Sequence, residues 1–199
     1  VRSARESLTE PWTVLPASSY MAFVRKGNRS EYEGLYFARR FRFAQLVLAE
    51  CLNHEGEFLD AITDALWCIL EETTWCLPAH AERLDADPLP RHDRITVDLF
   101  ACETAMALSE ALYLLHDELV SLSPSLVART REAVLERVTV PVEHRQDIRW
   151  FSGFNNWTPW CAANTLGSAM YLLDDQARLA SLAARLNVFV DRFIDGYGA

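Results

Sequence analysis

The sequence predicts an all-α fold in which antiparallel helical hairpins stack around an axis as an α/α toroid. Three observations point there. The 199 residues contain only 7 glycines and 8 prolines, concentrated in a few places, while Leu, Ala, Glu and Arg fill the segments between them. Those segments have helical hydrophobic spacing and come in adjacent pairs joined by tight turns, which makes neighbours antiparallel. No fixed-period motif recurs, which favours a toroid over a helical-repeat solenoid. At 50% hydrophobic content the chain reads as one helical domain, 1–199, with a full core.

The first hairpin begins with "SEYEGLYFARRFRFAQLVLAECLN", opened by a Ser cap at Ser30 and closed near Asn53 before the turn His54-Glu55-Gly56. Its partner helix runs from Glu57 to about Glu72. The second pairs Val97 to about Val120, with Val97, Phe100, Ala101, Thr104, Leu108, Ala111 and Leu115 near one face, with a helix that Ser123-Pro124 caps and starts and that ends near Val138. The third pairs a helix from Thr158-Pro159, again read as cap plus proline, to about Leu173 with one from Asp175 to about Tyr197. Two longer connections, Thr73 to Thr96 and Val140 to Trp157, are rich in Trp, His, Asn and Pro and are expected to line one end of the array.

Charge excludes some partners. A net charge of -9 with no Lys/Arg-dense run argues against nucleic acid and against an anionic membrane, both of which need clustered cations. Arg39, Arg40 and Arg42 form the one compact basic patch and read as a solvent-facing helix surface. No apolar run approaches the roughly 20 residues that span a bilayer, and the first residues lack the charged-then-apolar order of a signal peptide, although a processed N-terminus would look the same. Five cysteines, mostly within apolar helical segments, suggest reduced, buried thiols; that favours the cytoplasm, with a bacterial periplasm still open. Cys68, Cys76 and His80 match no zinc spacing, and no metal or cofactor is expected.

Two loop segments carry the candidate chemistry. In "GFNNWTPWCAAN", Gly153 to Asn164, the Thr158-Pro159 start places Asn155, Asn156 and Trp157 at a helix N-terminus, beside unpaired backbone N–H groups and the positive end of the dipole. That is a place for a carboxylate. Asparagine adds an uncharged donor and tryptophan a flat face for a sugar ring; the structural alternative is turn capping and core filling. In "EETTWCLPAH", Glu71 to His80, a carboxylate pair and a tryptophan precede a histidine, which can serve as acid, base or donor near neutral pH. Elbow, zincin, P-loop and dinucleotide motifs are missing.

Together with "GNRSEYEGLYFARR" (Gly27 to Arg40) and "DLFACETA" (Asp98 to Ala105), these loops resemble the heparinase II/III-like polysaccharide lyases and their relatives with an N-terminal α/α toroid. The resemblance implies cleavage of a uronic-acid-containing polysaccharide by β-elimination, with an acidic oligo- or polysaccharide as partner. It assigns Asn156, then Asn155, to the substrate carboxylate, and His80 to substrate contact or proton transfer. Trp75, Trp157 and Trp160 become sugar-stacking or cleft-shaping groups, Glu72 an orienting group, and Arg39 and Asn164 further substrate contacts. Some relatives carry a histidine where this chain has Trp157, so that position has no acid–base role here. The catalytic tyrosine of the family follows the segment resembling "RFIDGYGA" (Arg192 to Ala199) and does not occur in this sequence. The chain therefore reads as an incomplete toroid, the N-terminal portion of a longer protein whose missing C-terminal part completes the site, and as inactive by itself. The alternatives are a glycoside hydrolase on a similar toroid, using Glu72 and Glu103 as its carboxylate pair, and a non-catalytic carbohydrate-binding scaffold.

Overall fold

The computed structural model describes residues 1–82, 87–91, 93–152 and 155–197, and every regular element among them is helical. Two helices, α1 (Arg2–Ser7) and α2 (Ala17–Lys26), precede the first helix expected from the sequence. α2 stops at Gly27, whose φ of 68° suits a residue without a Cβ, and the N–H of Gly27 bonds the Phe23 carbonyl at 2.8 Å.

The next helix, α3 (Ser30–Asn53), buries Tyr32, Tyr36, Arg39, Phe43, Leu46, Val47 and Glu50, spaced by one turn or less along one stripe. Ser30 is not its cap. Asn28 Oδ1 accepts from Glu31 N at 3.1 Å instead, because the side chain two positions earlier reaches the open amide. The turn into α4 (Leu59–Leu70) uses positive φ at His54 and Gly56. It is held by the fully buried Glu50, whose two carboxylate oxygens accept from Gly56 N at 2.7 Å and Phe58 N at 2.9 Å.

The helix expected over 97–120 is two helices, α5 (Leu99–Leu114) and α6 (His116–Leu122). Leu115 leaves helical geometry at φ −120°, ψ 33°, and both Leu115 and Leu119 stay buried across the bend. Ser123 caps α7 (Pro124–Val134) as expected, its Oγ accepting from Leu126 N. The helical path then runs past Val138. Pro141 has no N–H to continue the ladder, and the strand of hydrogen bonds widens into a π turn over Leu135–Thr139, where Val140 N reaches Leu135 O, before α8 (Val140–His144). After a short 3₁₀ turn at Arg149–Ser152 come α9 (Trp157–Leu172) and α10 (Gln176–Tyr197), the latter capped by Asp175 Oδ1 on Ala177 N and Arg178 N.

The partners within each expected hairpin touch: α3 with α4, α5 with α7, α9 with α10. α5 is central, lying against α3, α7 and, most extensively, α9. Small residues permit that approach: Ala101, Cys102 and Ala105 on α5 are buried against a helix that contributes Cys161, Ala162, Thr165 and Ala169. A Cβ on Gly167 would lie 2.8 Å from Met106 Sδ. One contiguous core extends from Ala4 to Phe189.

The two long connections are clasped together by charge. Arg145 reaches from α8's end to the Ile95 carbonyl at 2.6 Å and to Glu82 at 3.0 Å, while Arg94 pairs with Glu82 and with Asp147. Trp150 Nε1 adds a buried bond to Val97 O at 3.1 Å. The five cysteines are thiols without disulfides. Among the described residues no helix is long and apolar enough to cross a membrane.

Replacing Glu50 by alanine strands the buried Phe58 amide and releases the more exposed Gly56 amide to water, so unfolding free energy should fall by about 1–3 kcal/mol. Chemical denaturation measures this; a loss below about 0.5 kcal/mol would show that water replaces the carboxylate without cost.

Candidate functional site

Asp98 organises the region where the two motif loops meet. It is the N-cap of α5 and fully buried, and one oxygen, Oδ1, accepts from Ala101 N at 2.8 Å. The other, Oδ2, lies 2.8 Å from His80 Nδ1 and 3.4 Å from Leu77 N. A carboxylate accepts only, so Nδ1 is the donor and carries the ring proton, which leaves Nε2 as the basic nitrogen. The imidazole stacks on Phe100 with ring centres 5.6 Å apart and meets the Trp157 indole at 4.4 Å. His80 and Trp157, far apart in sequence, are thus neighbours.

At the α9 end, Asn156 is the N-cap position and Asn155 precedes it; both are exposed. Gly153 and Phe154 lie outside the described residues. Asn155 closes the turn: its Oδ1 accepts from Trp157 N at 3.0 Å and its carbonyl from Thr158 N at 3.2 Å. Thr158 is not the cap. It sits inside the first turn, buried, and donates its hydroxyl to Trp150 O at 2.6 Å. With those two amides taken and Pro159 lacking one, the first turn does not offer the open backbone donors expected from the sequence. The donors that remain belong to side chains. Asn156 makes no side-chain hydrogen bond among the described residues, and Arg149 holds its guanidinium 5.5 Å from the Trp157 ring centre.

Trp160 is half exposed on α9. Its indole N–H steadies the Glu103 carboxyl of α5, whose pKa is raised by burial in spite of that bond. Asn164 turns its amide back to the Trp160 carbonyl at 2.9 Å. Of the two roles expected of Trp75, sugar stacking or cleft shaping, its burial fits the second. It is 2% exposed, its Nε1 bonds Ile69 O at 3.1 Å, and the Arg137 guanidinium lies 4.8 Å from its ring centre. With its faces covered, Trp75 shapes the wall and offers no stacking surface.

The basic patch is also corrected, since none of its members is a solvated surface group. Arg42 binds the carbonyls of Ser7, Glu10 and Pro11 and lies over Trp12. Arg40 forms a two-pronged pair with Glu72 at 2.7 and 2.6 Å, and Arg39 approaches the same carboxylate at 3.3 Å. The buried Tyr36 hydroxyl joins this group to the loops, bonding Trp75 O at 3.0 Å and Thr104 Oγ1 at 2.9 Å. Among the described residues no group of three His, Cys, Asp or Glu could hold a metal ion.

Asp98, Phe100, Arg40 and Arg149 were not singled out from the sequence as site residues. Asp98 had a legible signal, an acidic cap directly before an apolar helical run. Arg149, Phe100 and the choice of Arg40 over Arg39 had none, because they depend on how α5 and α9 pack.

A scan against models of known protein families finds no match to this chain, and a search of curated proteins finds no significant relative. The likeness to heparinase II/III-like proteins rests on the motifs alone.

The raised pKa of Glu103 means that its neutral form suits the folded state, so its stabilising contribution is present at acid pH and is lost as pH rises through the folded pKa. Glu103→Gln should therefore raise Tm relative to the parent more at pH 7 than at pH 4. A difference independent of pH, measured by thermal unfolding at both, would rule out the buried-carboxyl description.

Proposed function

We propose that this chain is the helical toroid portion of a polysaccharide lyase that cleaves uronic-acid-containing chains by β-elimination. The observation that carries the reading is the meeting of the "PAH" and "NNW" loops, with His80 4.4 Å from Trp157. In this reading three adjacent elements have distinct tasks. Asn156 and Arg149 donate to the uronate carboxylate and lower the cost of the enolate-like charge that develops there. Trp157 offers a partly exposed indole beside the sugar ring. His80, held in one tautomer by Asp98, presents Nε2 to the proton on the carbon next to the carboxylate.

β-Elimination then needs a proton for the departing glycosidic oxygen. The family likeness assigns this to a tyrosine of the longer protein, so the chain by itself binds its sugar and does not turn it over. The hydrolase alternative is less well supported. Glu72 has both oxygens engaged by Arg40 and one also approached by Arg39, which removes it as a proton donor.

Binding of uronate tetrasaccharides of the glucuronate, galacturonate and mannuronate types tests this, with carboxyl-reduced versions as controls. At least one acidic type should bind and its reduced form should not; Asn156→Ala and Arg149→Ala should each weaken binding by roughly tenfold, as expected for a lost charge-assisted hydrogen bond. Equal binding of acidic and reduced sugars would refute the carboxylate site, and unsaturated uronate products formed by the chain alone would refute its dependence on an outside acid.

A further inference from the structure

A cleft of about 450 Å³ lies away from the His80 cluster, between the N-terminal segment 12–20, the N-terminal half of α3 and the end of α4. Its walls are mostly apolar and aromatic, including Trp12, Leu15, Tyr32, Trp67 and Leu89. Arg39 also lines it. That side chain is 6% exposed, and among the described residues it makes no hydrogen bond. Its Nε is sealed from solvent without a partner. Its ion pair is with Glu72 Oε1 at 3.3 Å, on a carboxylate whose two oxygens already receive the Arg40 fork at 2.7 and 2.6 Å.

Two guanidinium groups thus share one carboxylate, and the better-placed one is Arg40. Arg39 is left as a nearly buried cation with unused donors, a costly arrangement unless another acceptor arrives. Glu71, the other acid lining the cleft, is engaged by Arg129. One surplus positive charge suits a monoanion, since a dianion would meet Glu72 without compensation. A planar carboxylate matches the guanidinium fork. The apolar walls select what the carboxylate is attached to, and the volume is that of a small-molecule site.

We infer that this cleft is a second ligand site, which takes a small monocarboxylate with an apolar or aromatic body, anchored on Arg39. It is separate from the uronate site proposed above, since the lining of the cleft includes neither His80 nor the Asn155–Trp157 turn; Arg39 and Glu72, to which the family likeness gives a substrate contact and an orienting role, lie in this cleft instead. The apolar and aromatic share of the walls favours an apolar body over a sugar acid.

Titration calorimetry of the full chain with phenylacetate, phenylacetamide and glucuronate tests the inference. Phenylacetate should bind with one-to-one stoichiometry, and the neutral amide and glucuronate at least about tenfold more weakly. Arg39→Met should weaken phenylacetate about tenfold. Ala17→Trp narrows the exposed cleft mouth and leaves the Arg39–Glu72–Arg40 group in place, so it should do the same even if Arg39→Met unfolds the chain. Asn156→Ala should leave phenylacetate binding unchanged, which separates failure here from failure of the uronate site. The inference is overturned by absence of phenylacetate binding, by equal affinity for the amide, by preference for glucuronate, or by Ala17→Trp binding as tightly as the parent.

Discussion

The Asp98 carboxylate is the constraint on which the candidate site depends. One buried side chain caps the central helix α5, receives the His80 ring and accepts from the Leu77 amide. Helix start, loop path and imidazole orientation are therefore set by the same two oxygens. A carboxylate at this helix end is favoured by the dipole and by the open amides of the first turn. Adding His80 to that cap converts a folding device into a positioning device.

The rest of the fold serves this arrangement. Small residues along α5 and α9 bring the two helices close, and that proximity carries Trp157 to His80. The clasp of Arg94, Glu82, Arg145 and Asp147 fastens the two long connections where sequence gives them no regular structure. Behind them, Tyr36, Arg40, Glu72 and Thr104 form a buried polar network between α3, the end of α4 and α5. Such a network ties the three elements together, because a buried polar group left without its partner is costly.

Much of the helical layout was legible in the sequence, for identifiable reasons. Ser123-Pro124 and Asp175 are local signals, and a cap bonds amides two or three residues away, so neighbouring sequence decides it. Where the signal was ambiguous between adjacent polar residues, the outcome differed. Asn28 caps α3 in place of Ser30, and Asn155 closes the α9 turn while Thr158 turns inward to Trp150. The break at Leu115 and the π turn before Pro141 arise from packing and from a missing amide four residues along, which hydrophobic periodicity does not register.

The site was legible in residue type and not in geometry. His80, Asn156 and Trp157 stand out as unusual loop residues, but burial separates Trp75 from Trp157 although the two look alike in sequence. Arg39 and Arg40 are consecutive on a helix, so about 100° of rotation puts Arg39 in the cleft wall and gives Arg40 the two-pronged bond to Glu72. The most direct test of the central claim is the ¹⁵N spectrum of the histidine rings, with His80 assigned by His80→Gln. The account predicts that the His80 ring carries a proton on Nδ1, shows ring contacts to Trp157 and Phe100, and loses both features in Asp98→Ala. An Nε2–H tautomer in the parent, or the same ring contacts without Asp98, would contradict it.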